Sequence, residues 1–210
     1  MKKGIALFLM ISLVLVCAGC GSAPAQTASE PVPEKAPEQT PAETPAPVQE
    51  PESVPHSSVL VVYFSATGTT RGVTERIAAL TGGDLAEIVP AQPYTAEDLN
   101  YNDRSTRATV EQNTADARPE IANEISLEGY TTVYLGYPIW WGQAPRILST
   151  FAESHDFTGI TVIPFCTSGG SGAGRTGETL GEQAGTGTFL SSTRLDAGIS
   201  EAELQAWINR

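Results

Sequence analysis

The stretch from Ser58 to Thr70, which reads SVLVVYFSATGTT, decides the fold class. Its first part, Ser58–Phe64, is apolar and rich in β-branched residues, as is typical of a strand buried on both faces of a parallel sheet. Small hydroxyl residues then surround Gly68, and a helical pattern of apolar residues follows over Thr70–Leu80. A strand, a polar loop and a helix in this order predict the first unit of an α/β domain with a parallel sheet.

The same alternation continues to the end of the chain. Further strands are predicted at Asp84–Val89, Thr131–Tyr137, Ile160–Cys166 and Thr188–Ser192. Further helices are predicted at Arg104–Gln112, Ile121–Leu127, Ala144–Glu153, Glu178–Ala184 and Glu201–Asn209. Because parallel neighbours need right-handed crossovers, residues 58–210 are expected to form one doubly wound α/β domain with a sheet of five parallel strands.

In such a sheet, ligands bind beyond the carboxyl ends of the strands, where the strand order reverses. The loop after the first strand, Ser65–Thr70, places four hydroxyl residues around Gly68 at the start of a helix. Backbone N–H groups at a helix N-terminus and nearby hydroxyl groups can together hold a phosphate. An ordinary N-cap is the alternative, although one hydroxyl residue would suffice for that. The loop matches neither the Walker pattern nor the GxGxxG fingerprint, and it predicts a phosphate site of another kind.

The loop after the third strand, Tyr137–Pro145, contains the adjacent tryptophans Trp140 and Trp141. Their flat apolar surfaces suit stacking against a planar ring, and leaving both in water is costly. Neighbouring side chains of an extended loop point in different directions. We therefore expect one indole to face the ligand and the other to pack inward.

The loop after the fourth strand, Cys166–Gly174, is rich in glycine. Glycine exposes backbone N–H groups and adds no side-chain bulk, which suits a polar ring edge held by main-chain donors. A flexible surface linker is the alternative. The position of the loop at a strand end favours the binding site.

Taken together, the motifs YFSATGTT, GYPIWWGQAP and PFCTSGGSG resemble the flavodoxin-like FMN-binding family across nearly all of residues 58–210. The resemblance implies the strand order 2-1-3-4-5 and FMN as cofactor. It implies that the FMN phosphate is held by Ser65, Thr67, Gly68, Thr69 and Thr70. It places along the isoalloxazine ring the residues Pro138, Ile139, Trp140, Trp141 and Gly142. It places at the other side and the pyrimidine edge the residues Thr167, Ser168, Gly169 and Gly170.

This sequence departs from small soluble flavodoxins in its third loop, which has no aromatic residue to cover a second face of the ring. An open face could admit a substrate. The segment Pro90–Pro119, which includes Tyr94, Tyr101 and Arg107, either closes over the flavin or packs on the edge of the sheet.

No side chain is predicted to be catalytic or to bind a metal. His155 is expected to be solvated or to cap a helix C-terminus. Cys166 is expected to be a small buried hydrophobe, and the cysteines at positions 17, 20 and 166 lack the spacing of a zinc site.

Residues 1–20 have a basic start, an apolar core and small residues before Cys20, and they resemble a bacterial lipoprotein signal peptide in which Cys20 receives lipid. Cys17 departs from that pattern, since an aliphatic residue usually stands three places before the lipidated cysteine. An uncleaved anchor and a plain secretory signal are the alternatives. Residues 21–57 are rich in Pro, Ala and Glu and are expected to be a disordered spacer. The folded domain is thus expected to be extracytoplasmic, tethered to a bacterial membrane by lipid.

The chain carries 24 acidic and 12 basic residues, and residues 58–210 contain no lysine, which argues against a nucleic-acid partner. Three functions remain open. The first is electron transfer to an unidentified redox partner, which an acidic surface supports modestly. The second is an FMN-dependent reductase that passes hydride from a reduced nicotinamide to a quinone-like acceptor. The third is flavin capture without turnover.

Overall fold

The structure is a computed structural model, and it describes residues 57–210. The predicted signal peptide with Cys20 lies outside these residues, as does all but the last residue of the predicted spacer. Within residues 57–210, no helix combines the length and the apolar character that crossing a bilayer requires.

Strands and helices alternate along the described chain. The strands are β1 (Val59–Tyr63), β2 (Asp84–Glu87), β3 (Thr132–Pro138), β4 (Thr161–Thr167), β5 (Thr188–Phe189) and β6 (Thr193–Arg194). The helices are α1 (Thr69–Thr81), α2 (Arg107–Asn113), α3 (Arg146–Ser154), α4 (Thr176–Ala184) and α5 (Glu201–Ile208). The strands pair in parallel in the order β2-β1-β3-β4-β5, and β6 also pairs with β4. The predicted doubly wound α/β fold with strand order 2-1-3-4-5 is confirmed.

The sheet separates two apolar cores. In β1, Leu60 and Val62 belong to the core beneath α3 and α4, whereas Val61 belongs to the core beneath α1 and α5. Successive strand residues point to opposite faces, and a sheet covered on both faces needs apolar residues at consecutive positions. This requirement explains why the first strand reads as an unbroken apolar run.

The predicted fifth strand, Thr188–Ser192, is wrong in its extent. The structure has two short strands on the same side of β4, with Phe189 opposite Val162 and Thr193 opposite Phe165. Between these two pairs, the chain beside β4 therefore contains one more residue than β4 itself. The break coincides with Pro164 in β4, which we interpret as its cause.

Pro164 has no N–H to donate. Ile160, Val162 and Cys166 accept hydrogen bonds on this side of β4, from Thr188, Leu190 and Leu195. Pro164 occupies the same alternation, and a proline there cannot complete a regular ladder. After the hydrogen bond from Leu190, the neighbouring chain leaves β4 and pairs with it again at Thr193, shifted by one residue in register.

The predicted helix at Ile121–Leu127 does not form. Ile121 instead pairs antiparallel with Pro90, next to the outer edge of β2. The apolar residues that suggested a helical face, including Ile125, pack against the core from an irregular segment. Backbone pairing of this segment with the edge of the sheet is thus favoured over the helix that its apolar pattern predicts.

Asn123 completes the cover of this edge. Its side-chain Nδ2 donates to the carbonyl of Glu87 at 2.9 Å, and its Oδ1 accepts from the backbone N–H of Val89 at 2.9 Å. The backbone N–H of Ala122 donates to the carbonyl of Val89 at 2.7 Å. One asparagine thus satisfies both a donor and an acceptor of the chain that continues β2.

Candidate functional site

A cleft of about 910 Å³ opens at the carboxyl ends of the strands. It lies beyond β1 and β3, between which the strand order reverses. The three predicted loops all line it. The first loop contributes Thr67 and Thr69, the second contributes residues 138–142, and the third contributes residues 167–171. Leu99 and Tyr101 add a further wall, and Asp196 and Ala197 close the side beyond the third loop. The structure brings these loops together as the strand order requires.

The first loop presents unsatisfied polar groups. Gly68 is the N-cap of α1 with φ of 85°, and no described side chain caps this helix. Thr67 and Thr69 are exposed, with their Oγ1 atoms 3.4 Å apart. The Oγ of Ser65 is buried and has no partner among the described residues. An uncapped helix N-terminus surrounded by hydroxyl groups is suited to an anion.

Thr70 has a different place from the other predicted phosphate residues. Its side chain is buried, and its Oγ1 lies 2.9 Å from the Oγ1 of Thr167. That hydroxyl therefore joins the first loop to the third instead of facing the cleft. Thr167, which the resemblance places at the flavin edge, lines the cleft, and its hydroxyl is engaged in the same buried bond.

The second loop is a tight turn between Trp140 and Gln143. The backbone N–H of Trp140 donates to the Gln143 carbonyl at 2.9 Å, and the N–H of Gln143 donates to the Trp140 carbonyl at 3.0 Å. The central residues both have positive φ, 50° at Trp141 and 78° at Gly142. This is the pattern of a type I′ turn, in which a bulky residue such as tryptophan is rare. The turn holds Trp141 at its tip in the cleft.

The two tryptophans lie in different environments. Trp140 is only 4% exposed and packs edge-on against Phe64 and Tyr94, with ring centroids 5.6 and 4.9 Å away. Trp141 is 37% exposed, and its Nε1 donates to the Thr109 hydroxyl at 3.1 Å. Trp140 therefore supports the loop from the core side, and Trp141 is the indole available to a ligand.

The segment between β2 and β3 supplies Gln112, which the sequence patterns do not identify, and Tyr101, for which the sequence leaves open closure over the flavin or packing on the sheet edge. Gln112 in α2 is 3% exposed, and its Nε2 donates to the carbonyls of Trp140 at 3.0 Å and Ala144 at 3.2 Å. Gln112 thus holds the second loop on both sides of the turn tip. Tyr101 lies at the cleft with its ring centroid 5.4 Å from that of Trp141. The aromatic content of the segment was the only available signal for Tyr101.

The third loop is organised around the Ser168 hydroxyl. This hydroxyl donates to the Ser171 carbonyl and accepts from the Nε of Arg194 at 3.0 Å. The Nη2 of Arg194 also donates to the Ser168 carbonyl at 3.2 Å. Gly169 and Gly170 follow with space around them that a side chain could enter. A loop of small residues is thus held in place by one arginine from β6.

Cys166 and His155 have structural surroundings. Cys166 is fully buried, and burial raises the pKa of its thiol to about 11, so that it is protonated at neutral pH. His155 follows α3, and its Nδ1 lies 2.8 Å from the Phe151 carbonyl, as for a C-terminal cap. Both residues fit the structural interpretations given to them above.

Comparison with known proteins gives a consistent picture. The flavodoxin family profile matches residues 58–210. A solved structure classed as a flavoprotein, from Bacteroides eggerthii DSM 20697, is 43% identical with a TM-score of 0.68, over 72% of this chain and 95% of that chain. A second, from Bacteroides uniformis ATCC 8492, is 40% identical with a TM-score of 0.69, over 74% of this chain and 99% of that chain.

More distant similarity supports the fold alone. A flavoprotein from Lactobacillus acidophilus NCFM, solved in complex with FMN, is 21% identical with a TM-score of 0.52, over 71% of this chain and 97% of that chain. A search of curated proteins gives no match. The family profile covers the whole described domain except its first residue, and the chain belongs to the flavodoxin family.

Proposed function

We propose that the chain binds FMN in this cleft and acts in electron transfer, tethered to the outer face of a bacterial membrane through lipid on Cys20. The observation that carries the proposal is the convergence of three different loops on one cleft of about 910 Å³. Each loop offers what one part of FMN needs. A related flavoprotein is solved in complex with FMN, which agrees with this choice of flavin.

The polar groups of the first loop fit a phosphate. Ser65 has a buried hydroxyl without a partner, and Thr67 and Thr69 are exposed beside an uncapped helix N-terminus. A dianionic phosphate would satisfy these donors and interact favourably with the helix dipole. Gly68 leaves the space around its backbone open, so the phosphate could approach closely.

The aromatic and glycine-rich walls fit an isoalloxazine ring. Trp141 would stack along the ring, and Ser168–Gly170 would meet its pyrimidine edge through backbone groups. FMN, when bound, supplies reversible one-electron and two-electron reduction. The residues of this chain bind the ring, orient it and limit its contact with water.

The surroundings of the cleft favour a carrier over a reductase. Tyr101 provides an aromatic wall that the third loop lacks, and this reduces the open face expected from the sequence. Residues 58–210 contain 18 acidic residues and nine arginines. This net negative charge would attract a basic redox partner and repel a reduced nicotinamide dinucleotide.

The location proposed for the protein depends on its N-terminal sequence. The lipoprotein-like signal ends at Cys20, and a Pro- and Ala-rich spacer separates it from the domain. Such a spacer is long enough to hold the flavin cleft away from the membrane surface. Labelling with a radioactive or clickable fatty acid, lost in a Cys20→Ser variant, would support this part of the proposal. Equal labelling of both proteins would contradict it.

The cofactor and the reaction are tested together on the purified full-length chain mixed with FMN. A shift of the flavin absorption bands is expected on binding. Anaerobic titration with dithionite should then show two separated one-electron steps, as a carrier requires. A single two-electron step, with rapid oxidation of NADH or NADPH by a quinone, would favour the reductase. Binding with neither property would indicate flavin capture, and unshifted bands would remove the cofactor assignment.

Replacing Trp141 tests the stacking assignment. The Trp141→Ala variant should bind FMN about tenfold more weakly, because stacking on an aromatic ring contributes about 1 to 3 kcal/mol. It should also reduce the quenching of bound flavin fluorescence. Trp207→Phe is the matched control, since Trp207 packs against Tyr134 and Phe165 in the other core. Quenching that survives in Trp141→Ala would assign the stacking face to another residue.

A further inference from the structure

We infer that Arg194 tunes the reduction potential of the bound flavin by placing a positive charge behind the third loop. This inference rests on the proposed flavin site. It goes beyond it by assigning a thermodynamic role to a residue that neither the loop motifs nor the walls of the cleft include.

The irregular edge of the sheet determines where Arg194 lies. Arg194 stands opposite Cys166, whereas an unbroken strand continuing from the pairing of Val162 with Phe189 would place Thr193 there. Side chains alternate between the two faces of a sheet. A register shift of one residue therefore moves each side chain of the strand to the opposite face. The interruption beside Pro164 therefore brings the guanidinium group, and not a threonine, to the third loop.

The contacts of Arg194 hold its charge against the loop. Its Nε donates to the Ser168 hydroxyl at 3.0 Å, and its Nη2 donates to the Ser168 carbonyl at 3.2 Å. Ser168 itself lines the cleft. Bonds from two guanidinium nitrogens to one residue fix the position of the charge more firmly than a single bond would.

One carboxylate, that of Asp196, lies close to Arg194 and also lines the cleft. The two charged groups lie 3.8 Å apart, and the side chain of Asp196 is 71% exposed. Solvent screens this exposed carboxylate, whereas two hydrogen bonds hold the guanidinium against the loop. A second guanidinium, that of Arg104, lies 4.9 Å from the ring centroid of Trp141, which belongs to the second loop. Arg194 is therefore a cation that is hydrogen-bonded to the third loop, and Asp196 opposes its effect from a more exposed position in the wall of the cleft.

A positive charge at this loop favours the reduced flavin. When the ring takes up two electrons and one proton, it gains one negative charge, which is concentrated at the pyrimidine edge. By the placement proposed above, this edge meets Ser168. A cation behind that residue stabilises the reduced ring more than the neutral oxidised ring, so it raises the midpoint potential.

The test compares midpoint potentials of FMN-loaded full-length proteins. In Arg194→Gln, the affinity for reduced FMN should fall about tenfold more than the affinity for oxidised FMN, which corresponds to a fall of about 30 mV in the two-electron potential. Arg194→Lys should retain most of the wild-type potential, because it keeps the charge. Asp196→Asn should raise the potential.

Arg118→Gln is the matched control. Arg118 is likewise ion-paired with one partly exposed carboxylate, Glu153, and the change removes the same unit of charge. The potential of this variant should equal that of the wild type. Equal shifts in Arg118→Gln and Arg194→Gln would reduce the effect to net charge and overturn the inference.

A purely structural role of Arg194 has a distinct signature. If Arg194 only maintains the conformation of the loop, Arg194→Gln should lower the affinities for oxidised and reduced FMN by the same factor. The midpoint potential would then stay unchanged, and this result would also overturn the inference. The slope of potential against pH gives a second readout, since loss of the cation should promote uptake of a second proton by the reduced ring. A wild-type chain that binds no FMN would overturn the proposed function as well. Unchanged potentials in chains that all bind FMN would overturn this inference alone.

Discussion

Replacing Thr67 and Thr69 together by alanine should weaken FMN binding by about two to four orders of magnitude and leave riboflavin binding nearly unchanged. Hydrogen bonds to a charged group contribute about 1.5 to 3 kcal/mol each, and about 1.4 kcal/mol corresponds to a factor of ten. Both hydroxyl groups are exposed at the N-terminus of α1, and the phosphate is the part of FMN that riboflavin lacks. Titration of the full-length chain with each ligand measures the ratio of the two losses.

Thr131→Ala provides the matched control for this experiment. Thr131 is also exposed but precedes β3, at the end of the sheet away from the cleft. Its replacement should leave the affinity for both ligands unchanged. Equal losses for FMN and riboflavin in the double variant would contradict the phosphate assignment of the first loop.

Gly136→Ala should destabilise the domain by about 1 to 3 kcal/mol, the usual cost of extra volume in a well-packed core. Gly136 lies in β3 opposite Phe165, and a Cβ atom there would lie 2.4 Å from the Cζ atom of that ring. Phe165 is fully buried and packs against Trp207, so the ring has no free space to enter. The midpoint of urea unfolding should fall by about 1 M.

Gly72→Ala makes the same chemical change with the opposite expected sign. Gly72 lies in α1, and a Cβ atom there would meet nothing within 4 Å. Alanine within a helix is favoured over glycine by about 0.5 to 1 kcal/mol, so this variant should be slightly more stable than the wild type. Equal unfolding midpoints for the two variants would contradict the close packing at Gly136.

Local sequence predicted those parts of the fold that depend on periodicity. The apolar runs of β1, β3 and β4 are long enough to specify strands buried on both faces, and α1 and α3 have clear apolar stripes. The failures lie at the two edges of the sheet. At one edge, residues 121–123 pair with the chain after β2 despite a helical pattern. At the other, Pro164 of one strand interrupts its neighbour, which no pattern within Thr188–Ser192 could reveal.

The site could be predicted as far as its three loops, because each follows a strand whose place in the sheet the topology dictates. The direction of individual side chains could not. The hydroxyl of Thr70 turns inward to Thr167, which lies 97 residues further along the chain. Gln112 and Arg194 act on loops remote from them in sequence, and Tyr101 belongs to a segment without a regular pattern. Such roles depend on tertiary contacts.

The position of Asn123 has a consequence for self-association. A sheet edge with free N–H and carbonyl groups is a template for pairing with another copy of the chain. Apolar side chains beside this edge would favour such pairing, since Leu85 and Val89 are 44% and 39% exposed. By bonding to the N–H of Val89 and the carbonyl of Glu87, Asn123 makes these two groups unavailable to a second strand. We expect this amide side chain to lower the tendency of the domain to associate edge to edge.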